Sequence, residues 1–323
     1  MDRRSLLAGM AAGLLSRPAL AQANWPNRPV RIIVPYGPGS TPDTFMRLLQ
    51  PRWQEKFGQP LVIENRAGAG GNIGAQAIAT ARPDGYTIGV VPVGVMTFNQ
   101  FLYTSLPYNA ARDLDPISVI YELPNIFVVR SDIPATTVAQ FADWGKKRPQ
   151  GVSCASNGPG NSSHLFCALL ANRTNLRAID VPFKGGASEA LPAMLRGDVD
   201  FSIEVISSYL GAVREGQLRA LAVTGAERWP TLPDVPTMAE LGFAGFNPPL
   251  VWVALVAPRG TPPEVTAAIA AFQKEATADA GLQERFMLAG ARIRSSTPQD
   301  LAARIQREQP GWRELIEISG AKL

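Results

Sequence analysis

PVRIIVPYGPGSTPDTF, residues 29–45, reads as a buried strand, a loop of small residues and a helix start. Val30, Ile32, Ile33 and Val34 form a short apolar run suited to the middle of a sheet covered on both faces. Gly37 and Gly39 permit a tight turn and close approach by a ligand. Thr41 suits the N-cap, and Pro42 the first helical position, where no backbone donor is needed. Asp43 in the first turn suits the helix dipole. A helix that starts above the carboxyl end of a parallel strand points unpaired N–H groups at whatever lies there, which makes an anion site. The same residues also describe a well-capped βα turn with no ligand, and the stretch alone does not separate the two.

Outward from this stretch, Phe45, Leu48, Leu49 and Trp53 share one face of the following helix, Pro51 predicts a kink in it and Gly58 ends it. Residues 61–64 and 86–91 read as strands around a helix over 72–82. That βαβαβ order implies a parallel sheet with right-handed crossovers. After a short helix and an irregular stretch over 99–115, residues 117–130 are extended and broken at Pro124, fit to carry the chain between domains. A second αβ series follows. It has a helix capped by Thr137, strands over 152–155, 178–181, 199–205 and 218–223, and helices opening near 163 and spanning 187–196. Past Trp229 proline recurs. Thr237 with Glu240 makes a capping box at a short helix, 251–256 is a strand expected beside the crossing segment, and Thr261 and Thr297 cap closing helices, the last disrupted by Pro310. The terminal parts then share one lobe, 24–121 with 248–323, and 122–247 forms the other.

The chain has 323 residues, 46% hydrophobic and 18% charged, which suits about two domains. The net charge of +4 falls to +2 (28 basic, 26 acidic) without the first 23 residues. No basic cluster interleaved with aromatics appears, which argues against nucleic acid. Residues 1–23 read as a signal peptide. Arg3 and Arg4 precede LLAGMAAGLL, which is too short to span a bilayer, and Ala19-Leu20-Ala21 and Ala21-Gln22-Ala23 offer small-x-small cleavage sites. The arginine pair also resembles a twin-arginine signal. A soluble protein exported to a bacterial periplasm is expected.

Export permits a disulfide between the two cysteines, Cys154 near a strand end and Cys167 in the next helix; two buried free thiols are the alternative. The single histidine, His164, has no evident third partner for cysteine catalysis and reads as a satisfied helix-start residue near a cleft. Ser163–His164 is a poor hydrolase pair, because adjacent helical residues point apart and no G-x-S-x-G elbow occurs. Residues 68–74, GAGGNIG, lack dinucleotide spacing and read as a tight strand-to-helix turn. Along 198–205, Val199, Phe201, Ile203 and Val205 alternate with Asp198, Asp200, Ser202 and Glu204. That polar face is either a sheet edge or the lining of a cleft, with Glu204 at the carboxyl end the candidate cleft acid. No further ligands with metal spacing accompany it, so neither metal nor cofactor is expected.

Seven stretches in series carry a family resemblance: WPNRPVRIIVPYGPGSTPD (25–43), VIENRAGAGGNIGAQAIATARPDGYTIG (62–89), LPYN…DLDPI (106–117), SNGPGNSSHL (156–165), VPFKGG (181–186), LRALAVTGAERWPTLPDVPTMAELG (218–242) and VWVALVAPRGTPPEV (251–265). Together they resemble the extracytoplasmic solute receptors of tripartite tricarboxylate transporters, the TctC-like or Bug family. The resemblance implies an α/β fold of the two-lobed type II periplasmic binding-protein kind, closing like a hinged trap on a small carboxylate without catalysis. Carried over by position, it implies ligand contacts from Tyr36, Gly37, Gly39, Ser40, Thr41 and Asp43 in the first loop, and from Val93, Gly94 and Val95 after the third strand. In the second lobe it implies Ser156, Asn157, Asn161, Ser162, Ser163 and His164, then Phe183, Lys184 and Gly185, and finally Glu204. Its implied partners are a small carboxylate and the membrane components of such a transporter; a competing reading has a membrane sensor kinase read the closed form, and a monomer is expected in either case.

The chain departs from the family pattern in four places. Ser40 stands where a second glycine is usual, and Phe183 replaces a tyrosine. Val93-Gly94-Val95 lacks the usual hydroxyls, and Glu204 stands where a shorter polar residue is commoner. Fewer side-chain donors argue against a tricarboxylate. An ionised Glu204 beside a carboxylate is unfavourable unless the ligand also offers a donor, which points to a monocarboxylate or amino-acid-like ligand with an apolar part. The alternative is a Glu204 turned away and paired with an arginine.

Overall fold

The computed structural model describes residues 25–321 apart from 184, 244 and 247–249. The proposed signal peptide and Lys184 lie outside the described residues. Eleven strands form two sheets among them. The first sheet has the order β11-β4-β10-β3-β1-β2, where β1 is Val30–Val34, β2 Leu61–Asn65, β3 Thr87–Pro92, β4 Leu114–Leu123, β10 Val251–Pro258 and β11 Arg292–Ile293. The second has the order β7-β6-β8-β5-β9, with β5 Asn125–Arg130, β6 Val152–Ser156, β7 Ala178–Pro182, β8 Phe201–Val205 and β9 Leu218–Val223.

The two sheets share a plan. In each, three strands run parallel (β2-β1-β3 and β7-β6-β8) and the next is antiparallel (β10 and β5). Apart from Thr87 at the start of β3, the inner strands β3 and β10 are apolar, whereas edge strand β2 leaves Val62 exposed. The chain passes from β4 to β5 through Pro124 and returns between β9 and β10. Between the sheets the aromatic ring of Trp312, on the closing helix Pro298–Ser319, packs beside Phe98 at 4.9 Å and Phe166 at 6.2 Å. That helix therefore touches both halves of the molecule. No helix among the described residues is long and apolar enough to cross a membrane.

Several local expectations are corrected. The helix Thr41–Phe57 runs through Pro51, and Pro298–Ser319 runs through Pro310. Both prolines face solvent, where water takes the freed carbonyl, while buried Leu49 and Trp53, or Trp312 and Leu315, hold the helix on its other side. The helix after residue 72 stops at Ala79, and β8 begins only at Phe201. Thr237 and Glu240 do exchange capping-box hydrogen bonds, but the chain there makes a single turn rather than a helix: the Leu241 N–H donates to the Thr237 carbonyl, and Gly242 at φ +78° ends the turn directly after it. Thr261 does not cap the next helix: Pro262 holds that position, and the Thr261 hydroxyl donates to the Pro258 carbonyl. Thr297 and Thr137 cap as their sequences predict. Residues 69–71 form a single 3-10 turn with Gly68, Gly70 and Gly71 at positive φ, a strand-to-helix turn and no dinucleotide loop.

Candidate functional site

The first jaw is the turn after β1. Gly39 has φ +78°, and the Ser40 N–H donates to the Gly37 carbonyl at 3.2 Å. Ser40, not Thr41, is the N-cap of the helix Thr41–Phe57, and its hydroxyl makes no capping bond; Ser40 Oγ is buried without a hydrogen-bond partner. Thr41 Oγ1 instead lies 3.0 Å from Ser207 Oγ, beyond β8, so the helix start touches the second sheet's half of the molecule.

Asp43 is turned inward, toward its own turn. It is 1% exposed, pairs with Arg47 at 2.8 Å, and accepts from the Gly39 N–H at 2.9 Å and from Asn65 Nδ2 at 3.0 Å. Asn65 Nδ2 also donates to the Tyr36 carbonyl at 2.9 Å. Burial pushes the Asp43 carboxyl up, but the bonds from Arg47, Gly39 and Asn65 outweigh it and leave it below the usual carboxylate range. Asp43 and Asn65 thus tie the turn from Tyr36 to Gly39 in place. Val93, Gly94 and Val95 are buried in a one-turn helix, Val93–Thr97, rather than an open loop. A Cβ on Gly94 would meet the Phe98 ring at 2.7 Å, so this segment supports the jaw by packing.

The second jaw follows β6. Ser156 Oγ accepts from the Gly158 N–H at 3.1 Å, and Ser163 Oγ accepts from the Asn157 N–H at 3.0 Å. Asn161 caps the helix Ser162–Thr174 in position only; its Nδ2 donates back to the Asn157 carbonyl at 2.9 Å. His164 is not satisfied as its sequence suggests: Nδ1 is buried with no hydrogen-bond partner. Phe183 packs on the core and its N–H donates to the Ser156 carbonyl, which brings the third loop beside the second. The Gly185 N–H is taken by Glu189. Cys154 and Cys167 are joined as a disulfide, with Cα atoms 6.5 Å apart, which fastens β6 to the helix that carries Ser163 and His164.

β8 lies in the middle of its sheet, so its polar residues do not mark an edge. Asp200 is paired with Arg130 and Arg148, at 3.7 and 3.9 Å, and accepts from Ser153. The Ser202 hydroxyl donates to the Ala155 carbonyl. Glu204, 4% exposed, is the residue that reaches the jaws. Its Oε1 accepts from the Val205 N–H at 2.9 Å, and it takes a hydrogen bond from the Ser163 side chain. It has no arginine partner among the described residues. Burial pushes its carboxyl up to about 7, with the two hydrogen bonds pulling only part of the way back. Across the cleft the Tyr36 hydroxyl is raised, first by burial and then by the Glu204 charge; on the near side Tyr209 is raised by burial and by that charge against a hydrogen bond with Ser202. The two jaws therefore face each other.

Residues that sequence reasoning missed stand between them. Asn125, directly after Pro124, donates through Nδ2 to the Ile203 carbonyl at 3.2 Å and leaves Oδ1 buried without a partner. The Tyr121 hydroxyl, near Tyr36, is likewise buried without a partner. An asparagine opening an otherwise apolar strand was the available signal for the first; Tyr121 and Ser207 carried none. No group of three or more possible metal ligands occurs among the described residues.

The family model for the tripartite tricarboxylate transporter family receptor (TctC) matches residues 45–321. The chain belongs to this family. The receptor is 35% identical over 305 residues to protein BugT of Bordetella pertussis, covering 93% of this chain and 91% of BugT. Among solved structures it is similar to Rpa4515 of R. palustris with adipate (32% identity, TM-score 0.87, 93% of this chain and 100% of that one). It is similar also to MatC (Rpa3494) from Rhodopseudomonas palustris with bound malate (32% identity, TM-score 0.83, 90% and 100%). The receptor has the two-lobed α/β fold of these periplasmic binding proteins, and it is a solute-binding protein, not an enzyme.

Proposed function

We propose that this receptor captures a small carboxylate-bearing solute, an organic acid or amino-acid-like, in the periplasm and presents it to the membrane components of a tripartite tricarboxylate-type transporter. The observation that carries the reading is the set of buried polar atoms without protein partners at the facing jaws: Ser40 Oγ, Tyr121 OH, Asn125 Oδ1 and His164 Nδ1. Buried polar groups are normally hydrogen-bonded, and a bound solute with its waters supplies what these lack. The adipate and malate held by two relatives are both dicarboxylates, which supports a carboxylate here. Helix starts in both jaws suit such an anion.

In this reading the lobes are 24–121 with 248–323, and 122–247, hinged where the chain crosses at Pro124 and between β9 and β10. Residues 1–23 direct export, and the mature protein is a monomer. N-terminal sequencing and size-exclusion chromatography of periplasmic material test the last two points. The main test is thermal: a panel of mono-, di- and tricarboxylates and amino acids contains at least one member that raises Tm at saturation. A folded protein that no member stabilises would refute the carboxylate reading. Capture of the membrane partner with ligand-loaded receptor separates delivery from sensing, since recovery of a sensor kinase instead turns the reading to signalling.

A further inference from the structure

Five acids are deeply buried among the described residues: Asp43, Glu122, Asp200, Glu204 and Glu308. Four have arginine partners. Asp43 pairs with Arg47, Asp200 with Arg130 and Arg148, Glu122 with Arg294 and Arg304, and Glu308 with Arg304. Glu204 is the one without a cationic partner among the described residues, and it is the one at the jaws.

The groups around Glu204 come from every element packed on it. β8 itself supplies the Val205 N–H, and β5 supplies Ile126 beside it, with Asn125 next. The helix Ser162–Thr174 supplies Ser163, whose Oγ already accepts from Asn157, so its single proton is left for Glu204. His164 follows it in that helix. The segment after β8 supplies Tyr209, and Tyr36 faces from the first jaw, with Tyr103, Tyr108 and Tyr121 behind it. The titratable groups that sense its charge are thus tyrosines, which are neutral at physiological pH. An unpaired buried carboxylate is costly in such a place, and the group avoids the cost by keeping its proton.

We propose that Glu204 holds the ligand as the neutral acid, donating its proton to a ligand carboxylate, so that capture takes up one proton from solution. The inference rests on the carboxylate-receptor reading above and deepens it. The hydrogen bond is charge-assisted, from carboxylic acid to carboxylate, and no bond other than this one changes. It makes Glu204 a specificity residue. A ligand that brings an anionic carboxylate to this end of the cleft is favoured while Glu204 is neutral, whereas one that brings an ammonium group would need Glu204 ionised. The raised carboxyl described above makes the neutral form accessible near neutral pH.

The experiment is isothermal titration of the full mature receptor with adipate, malate and the carboxylate and amino-acid panel. It runs between roughly pH 7 and 9, above the titration of most ligand carboxyls, in two buffers of different ionisation heat. The wild type is expected to take up about one proton per carboxylate bound at the alkaline end, and its Kd to weaken by about tenfold per pH unit there. Glu204→Gln, which donates from an amide at any pH, is expected to lose both the slope and the proton uptake. A wild-type affinity that is flat or rises with pH overturns the inference while leaving the receptor reading intact; a rise identifies an ammonium ligand. If no panel member binds folded wild type, the receptor reading falls and the inference with it. Proton uptake in the wild type decides the matter even if Glu204→Gln does not fold.

Discussion

Asp43 and Glu204 are both closed off from solvent, at the helix start of one jaw and the strand end of the other, and their carboxyls move in opposite directions. Asp43 has Arg47, Asn65 and a backbone N–H, so its charge is anchored and organises the Tyr36–Gly39 turn. Glu204 has one backbone N–H and one hydroxyl, and no cation among the described residues. Neither side chain is open to solvent, but Glu204 is enclosed more deeply than Asp43, so depth and partners together set the difference. A carboxylate satisfied by its own chain is scaffold; one left partly unsatisfied at a cleft is available to a ligand.

The largest effect is expected from breaking the satisfied member. Asp43→Ala orphans the Gly39 N–H and the Asn65 amide, and a loss of about 3 kcal/mol is expected, read as a Tm lowered by about 6 °C or more. Because the turn is untied, ligand capture should fall with it; unchanged capture would show that the turn does not depend on Asp43. Next, replacing Cys154 and Cys167 together by serine removes a link closing 13 residues, for which about 2.5 kcal/mol is expected. Thiol counting on the unreduced periplasmic protein checks the link directly, and two free thiols would refute it.

Glu204→Gln sharpens the comparison through pH. The folded carboxyl sits above its unfolded value, so its contribution to stability is fully present below the ordinary glutamate value of 4.5 and lost as pH rises through about 7. The ligand-free Gln variant should therefore gain on wild type across that window, by about 3 kcal/mol at its upper end. Asp43 has the opposite sign: its depressed carboxyl stabilises above the ordinary carboxylate range and stops doing so as acid protonates it. Paired Tm–pH curves for the two variants should diverge in opposite senses, and parallel curves would count against the contrast. The smallest effect is expected at the contact between jaws. Thr41→Val removes the bond to Ser207, worth about 1 kcal/mol or less, seen as faster ligand release in stopped flow with little change in Tm.

Much of the fold was legible because its signals are local. The apolar runs of β1, β3 and β10 mark strands covered on both sides, and Gly197 ends the helix Ala187–Arg196 where expected. Pro51 and Pro310 misled because their cost depends on which side of the helix meets water, a tertiary matter. Of the site, the turn 36–41 could be read from its small residues. The inward turn of Asp43 was also available, since Arg47 stands four residues on, the spacing that pairs side chains on one helix face. The isolation of Glu204 was not. It consists in the absence of a cation near a strand end, and absence is set by residues far away in the chain. Asn125, Tyr121 and Ser207 were hidden for the same reason: each matters only because two sheets meet there.

The position of β10 between β3 and β4 bears on how the molecule is made. The second sheet is built wholly from residues 125–223, whereas the first lacks its central antiparallel strand until residue 251 and its closing edge until residue 292. A chain emerging amino-terminus first presents β3 and β4 with open edges while the middle of the protein is complete. Exposed, apolar strand edges are what chaperones mask and what aggregates recruit. Synthesis thus leaves the half of the molecule that begins first to be finished last.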